Sequence, residues 1–205
     1  MTDLPPLTAE GLLWAYRHGI FPMAESRHGP VRWYSPDPRA ILPLRSTHFS
    51  RSLRKRVQRD DYRISRDGAF EQVMRCCAQP RRGDTQTWIS ERMIHSYTLL
   101  HDQGLAHSIE AHTRPADPRA EPELVGGLYG VALGGAFFGE SMFSRTPDAS
   151  KVCLFHLVEH LRKCGYVLLD VQFNNPHMAQ FGVIEIAHAE YMKRLALALQ
   201  CEPRW

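Results

Sequence analysis

Residues 124–145, LVGGLYGVALGGAFFGESMFSR, decide the fold. Two apolar runs, Leu124–Leu133 and Ala136–Glu140, flank Gly134-Gly135, a two-residue signal for a β-hairpin turn. The second run does not end like a core strand. Phe138 is followed by Gly139-Glu140-Ser141, which makes a poor core element and a good wall for a site. Further on, Tyr166–Phe173 reads as another strand, in which Asp170 and Gln172 point to one face because strand side chains alternate with period two. Two strand ends bearing polar, reactive side chains suggest an active site built on a sheet.

Working outward, a helix follows Asp148, with Leu154, Leu157, Val158 and Leu161 as its buried stripe and Gly165 as its stop. Asn175-Pro176 opens a short helix, Ile184 and Ile186 lie in a last strand, and 188–200 is a final helix. Upstream, Leu105–Ala111 is a strand, and 113–122, with Pro115, Pro118 and Pro122, is a solvated loop. Before residue 103 the pattern is helical: 8–18 with Thr8 as N-cap, 50–59 capped by Ser50, 67–78, and 90–103 from Ser90. Between the first two helices, Pro36 and Pro38 forbid a regular element over Trp33–Arg39 and hold the chain extended. The class is therefore α+β. The order β-β-β-α-β-α-β-α suits an acyltransferase (GNAT-like) C-terminal domain over 61–205. A smaller helical, loop-rich N-terminal domain over 1–60 precedes it, with a boundary that could lie as late as 103. Fold analogy of this kind carries no function by itself.

Composition narrows the classes. The chain has 205 residues, 43% hydrophobic and 23% charged, which is ordinary for a soluble globular protein. No apolar run approaches the roughly 20 residues needed to cross a bilayer, and no secretory pattern opens the chain, so a cytoplasmic protein without membrane contact is expected. Five cysteines, with Cys76 and Cys77 adjacent and no C-x-x-C, argue against a disulfide framework or a zinc ribbon. The net charge of +3 permits nucleic-acid contact without demanding it, but its distribution is uneven. Arg51, Arg54, Lys55, Arg56 and Arg59 occur in one helix without an acid, and Arg45, Arg75, Arg81 and Arg82 extend the bias. A charge run of this kind is most simply a solvated helix face, and otherwise a phosphate-contacting one.

Several motifs carry nothing. His156-Leu157-Val158-Glu159-His160 matches an H-x-x-E-H metal pattern, yet Leu157 and Val158 belong to the buried stripe and no third ligand follows, so no metal is expected. Gly126–Gly130 sits within a strand and opens no helix, which excludes a dinucleotide fingerprint. A CoA-dependent N-acetyltransferase is the rival on fold grounds. It needs backbone N–H groups at a helix start to hold a pyrophosphate. Here that start reads Ser144-Arg145-Thr146-Pro147-Asp148, where Pro147 lacks an N–H and Asp148 repels phosphate, so no CoA is expected. A non-catalytic tRNA-binding module, the third alternative, accounts for the basic helix but not for Glu140, Asp170 and Gln172.

Seven segments, in order, are similar to one family: Ala15–Pro22, Trp33–Ala40, Thr87–Ile89, Ala106–Glu110, Leu124–Tyr129, Gly139–Arg145 and Leu169–Gln172. The chain resembles the leucyl/phenylalanyl-tRNA–protein transferases. That resemblance implies transfer of Leu, Phe or Met from an aminoacyl-tRNA to the N-terminal Arg or Lys of a protein, marking it for degradation, without a cofactor. It implies that Gln172 holds the acceptor amine while Asp170 helps to remove or polarise its proton. Glu140 would pair with the cationic acceptor residue or orient the amine of the aminoacyl ester. It further implies an aminoacyl side-chain pocket of Leu128, Met142, Leu154, Leu157 and Leu169, positions that otherwise read as plain core. Tyr16, Trp88, Tyr97 and Asn175 would hold the terminal adenosine, since an aromatic face stacks on any base. Arg51, Arg54, Lys55, Arg56 and Arg59 would contact the tRNA backbone. Met23 and Leu157 stand where many members carry Trp and Phe, which leaves the preference among the three donors open.

Overall fold

The computed structural model describes residues 4–80, 87–117 and 119–205. Arg81, Arg82 and Pro118, named with the basic bias and the proline loop, lie outside the described residues. In chain order the first elements are α1 (Ala9–Arg17), β1 (Phe21–Ala24), β2 (Val31–Tyr34), β3 (Arg39–Ile41), α2 (Arg51–Gln58), β4 (Arg63–Arg66) and α3 (Phe70–Cys77). They are followed by α4 (Glu91–Asp102), β5 (Ala106–His112), β6 (Leu124–Leu133), β7 (Ala136–Ser144) and α5 (Ala149–Cys164). Last come β8 (Leu168–Gln172), α6 (Pro176–Ala179), β9 (Ile184–Ile186) and α7 (His188–Ala198).

Local chemistry sets the helix starts at the expected caps. Side-chain oxygens of Thr8, Ser50, Ser90 and Asn175 accept from Gly11, Leu53, Met93 and Met178 N–H groups at the heads of α1, α2, α4 and α6. Each such cap is worth about 1 kcal/mol. The order from β5 to α7 is the β-β-β-α-β-α-β-α read from the sequence.

Seven strands form one mixed sheet in the order β4-β5-β6-β7-β8-β3-β9, and β1 and β2 make a separate hairpin. All neighbours are antiparallel except β7 and β8, which run parallel. Several strands depart from the sequence reading. Strand β2 runs into the start of the stretch Trp33–Arg39 expected to hold no regular element, β3 begins at its end, and β1 and β4 were not expected. Pro36 and Pro38 do interrupt the chain, but strands begin and end on either side of them. Segments of three or four residues carry too little periodicity to announce themselves, and β3 is a strand only because β8 and β9 lie on its two sides.

The sheet separates two cores. One face is covered by α1, α3, α4 and α7, and its core holds Tyr16, Phe70, Tyr97, Tyr129, Phe138 and Tyr191. The other is covered mainly by α5, and its core holds Leu128, Leu154, Leu157, Phe137 and Leu169. The close seating of α5 depends on Gly126, where a Cβ would stand 2.5 Å from that of Ala149.

The site arises from a defect in this sheet. The pair β7–β8 is in register only over Ala136–Phe138 and Leu168–Asp170. Beyond that point β7 continues to Ser144 paired only with β6, and β7 and β8 part. At the same level the β6–β7 register steps between Tyr129↔Ser141 and Gly130↔Gly139, leaving Glu140 as the extra residue of a β-bulge. Bulges re-aim a side chain and bend the strand that carries them.

Candidate active site

Where β7 and β8 part, a cavity of about 660 Å³ opens, walled by residues from both cores. On the α5 side its floor is apolar. Leu128, Met142, Leu154, Leu157 and Leu169 all line it, so the five expected pocket residues are brought together. On the other side Glu140 and Gln172 stand in the wall among Phe21, Met23, Cys77 and Tyr129, and Trp88 and Asn175 also line the cavity. Such a floor with a few convergent polar groups is the usual form of a small-ligand site.

Glu140 is held by three donors. Tyr16 Oη donates to Oε1 at 2.7 Å, Tyr97 Oη to Oε2 at 3.2 Å, and Gln172 Nε2 to Oε1 at 3.0 Å. The two tyrosines also bond each other through their hydroxyls. The ring of two phenols and one carboxyl has three links but only two phenolic protons, so a proton on Glu140 completes it. Burial pushes the Glu140 carboxyl up to about 7, against the pull of the two tyrosine hydrogen bonds, and the charge of Asp170 adds to the rise. The same burial, with Glu140 close by, raises both phenols well above their ordinary value, so they remain donors.

Asp170 has a different setting. It is 0% exposed and absent from the cavity wall. Arg39 Nη2 and Nε donate to it at 2.7 and 3.0 Å, Tyr191 Oη at 2.7 Å, and the Gln172 backbone N–H at 2.9 Å. The Arg39 guanidinium, also 0% exposed, lies between the rings of Phe21 at 4.7 Å and Tyr191 at 4.6 Å and donates to Gly19 O at 2.9 Å. Asp170 and Gln172 do share a sheet face as expected, but only Gln172 reaches the cavity. Its φ of 60° is left-handed, an uncommon setting for a side-chain-bearing residue and one found at functional sites.

The expected adenosine set divides. Trp88 and the exposed Asn175 line the cavity, with Asn175 Oδ1 also capping α6. Tyr16 and Tyr97 are buried behind Glu140 and absent from the cavity wall, and their hydroxyls are taken up by Glu140 and by each other, so neither offers a face to a base. This corrects their expected role: both tyrosines are carboxylate holders. On α2, Arg51, Arg54 and Lys55 are exposed, as is Arg59 at its C-terminal end, while Arg56 is drawn to Asp61 at 3.3 Å and Asp148 at 3.4 Å. The helix starts beside α6: Ser50 and Leu53 share a small pocket with Gln180 and Phe181, and His177 of α6 stands in the rim of the main cavity.

Arg39, Tyr191 and Tyr129 were not singled out from the sequence. An arginine placed between Pro38 and the apolar run Ala40-Ile41-Leu42 is the one signal that could have found Arg39. The H-x-x-E-H histidines serve packing: His160 meets Arg66 and the Trp205 ring, and Glu159 pairs with Arg162. Among the described residues no cluster of three or more His, Cys, Asp or Glu could hold a metal ion, and no helix is long and apolar enough to cross a membrane.

The fold as a whole has a counterpart in the crystal structure of FemX. The likeness covers 85% of this chain and 62% of that one, with a TM-score of 0.51 and 13% identity, so it speaks for the fold alone. Sequence is far more specific. The chain belongs to the leucyl/phenylalanyl-tRNA protein transferase family, whose model matches residues 41–196 and whose N-terminal domain model matches 6–37. A protein called leucyl/phenylalanyl-tRNA–protein transferase in Rubrobacter xylanophilus is 52% identical, over 96% of this chain and 97% of that one. The Gloeobacter violaceus protein of the same name is 50% identical over 98% of this chain and all of that one.

Proposed function

We propose that this protein transfers Leu, Phe or Met from an aminoacyl-tRNA to the N-terminal Arg or Lys of acceptor proteins, forming a peptide bond and marking them for degradation. The observation that carries this reading is the cavity itself, with an apolar floor fit for an unbranched or γ-branched side chain and a Glu140–Gln172 wall fit for an amine. The reaction is aminolysis of an ester. The acceptor nitrogen attacks the ester carbonyl carbon, the carbon–oxygen bond to the tRNA ribose breaks, and the proton lost by the amine is balanced by the one gained by the ribose oxygen.

Such chemistry needs alignment and an unprotonated amine more than a powerful catalyst. An α-amine titrates near ~7.7–8.0, so a carboxylate near neutrality suffices to draw off its proton. Glu140 suits that task, because gaining a proton completes its ring with Tyr16 and Tyr97. Gln172 holds the amine beside it. Asp170, spent on Arg39 and Tyr191, acts as a positioning residue that fixes the backbone of Gln172. Trp88 and Asn175 take the terminal adenosine, and Arg51, Arg54, Lys55 and Arg59 take the tRNA backbone.

The GNAT-like architecture belongs to the same proposal: an N-terminal domain over 1–60 carrying α2, and a transferase domain over 61–205, with β3 stitching the first into the sheet of the second. So does a cytoplasmic site of action, which five free cysteines favour. Incubation with leucyl-tRNA and a peptide beginning with Arg should yield the Leu-Arg product by mass. Acetyl transfer from acetyl-CoA, with no product from leucyl-, phenylalanyl- or methionyl-tRNA, would overturn the reading.

A further inference from the structure

Three tyrosines surround Glu140, and two of them, Tyr16 and Tyr97, hold it. The third, Tyr129, sits on β6 where the register steps past Glu140. It is 0% exposed and lines the cavity, yet its hydroxyl has no hydrogen-bond partner among the described residues. Its ring packs edge-on against Phe70 at 5.9 Å and Tyr97 at 5.8 Å, an arrangement a phenylalanine would adopt equally well. Buried polar groups are nearly always paired, because leaving one unpaired costs free energy. Packing therefore accounts for the ring at this position and leaves the hydroxyl to be explained.

We infer that the Tyr129 hydroxyl is a substrate-binding group that donates to the carbonyl oxygen of the aminoacyl ester, where negative charge develops during transfer; this rests on the function proposed above. Burial, then the nearby Glu140 charge, raises the phenol well above its ordinary value, so it acts as a donor. A donor is not needed for the incoming amine, which already has Glu140 and the Gln172 side chain as its neighbours. The ester carbonyl needs one, and preorganised donors aimed at a developing oxyanion act at the chemical step rather than on binding.

The test compares Tyr129→Phe with the wild type in single-turnover transfer from leucyl-tRNA to an Arg peptide. The rate should fall about 100-fold, as for removal of one oxyanion donor. Binding of leucyl-tRNA should stay within about twofold, since the donor acts on the transition state rather than on the bound ester. The melting temperature of the free protein should hold or rise, since an unpaired hydroxyl has been removed. A Tyr129→Phe protein that transfers at the wild-type rate overturns the inference, as does one whose rate, tRNA affinity and melting temperature fall together. Fluorotyrosine at position 129, a stronger donor of nearly the same size, should speed the step at a pH below the phenol pKa; an unchanged rate again overturns it. If the wild type itself makes no Leu-Arg product, the underlying function fails instead, so the two failures are distinguishable.

Discussion

Asp170 and Glu140 stand on neighbouring strands at the point where β7 and β8 part, and their surroundings are opposite. Asp170 faces a buried guanidinium and takes hydrogen bonds from two Arg39 nitrogens, Tyr191 and the Gln172 backbone. Among the described residues Glu140 has no cation within hydrogen-bond reach, only neutral donors, and it opens on the cavity. Asp170 is taken up by a fixed counter-charge and by two further donors, Tyr191 and the Gln172 backbone. Glu140, buried with no cation beside it among the described residues, is driven toward the protonated form by that burial, against the pull of its tyrosine donors. The comparison teaches that a proton acceptor here needs both access to the cavity and freedom from a dedicated cation.

The largest effect should come from the sealed side. Asp170→Asn leaves the Arg39 guanidinium buried without its counter-charge, and breaking a buried pair in this way costs about 3–5 kcal/mol. Urea unfolding should show that drop, with transfer falling as Gln172 loses its anchor. Wild-type stability with only transfer impaired would break the comparison, because Asp170 would then be a chemical group.

Glu140→Gln should act the other way round, slowing transfer about 100-fold while the protein stays folded. The wild-type rate should rise with pH through about 7, where the Glu140 carboxyl titrates, and in the variant only the amine's own limb near ~8 should remain. Stability carries the opposite sign. A carboxyl raised in the folded state favours the protonated form there, so its contribution is greatest at low pH and declines as pH rises through the unfolded value toward about 7. Relative to the wild type, Glu140→Gln should therefore look more stable at pH ~8 than at pH ~5. A pH–rate profile identical in the two proteins would remove Glu140 from the proton path.

Much of this frame was legible in the residues, and the reasons for the rest are physical. Gly134-Gly135 marks the hairpin because a tight turn demands glycine, and Leu154, Leu157, Val158 and Leu161 mark α5 because a buried stripe repeats at helical spacing. The aminoacyl pocket needed the family resemblance, since Leu128 or Leu169 alone reads as core. β3 and the Arg39–Asp170 pair were hidden because the partners lie 131 residues apart and a charged residue in a short segment reads as loop. The bulge at Glu140 was hidden because register is settled between strands. Tyr16 and Tyr97 lie on apolar helix faces in the sequence, and nothing there tells that those faces close over a carboxylate rather than stack on a base.

A smaller effect sharpens the same comparison by showing what weakened binding alone looks like. Arg51, Lys55 and Arg59 have no acidic partner among the described residues, and all three are exposed on α2 or at its end. None lines the cavity, so neutralising them leaves Glu140, Gln172 and the Arg39–Asp170 pair untouched. Replacing all three by Gln should raise the apparent KM for aminoacyl-tRNA about tenfold at moderate salt, as expected when phosphates go unneutralised. The slope of log affinity against log salt should flatten by roughly one for each phosphate that α2 no longer neutralises. The rate at saturating tRNA, its pH limb near 7 and the unfolding midpoint should all stay as in the wild type. Because phosphate contacts carry no base information, the weakening should be equal for leucyl-, phenylalanyl- and methionyl-tRNA. An unchanged affinity and salt slope would rule out α2 as the tRNA-binding helix. A fall in the saturating rate would show that α2 reaches the cavity after all, through α6 and the rim residue His177.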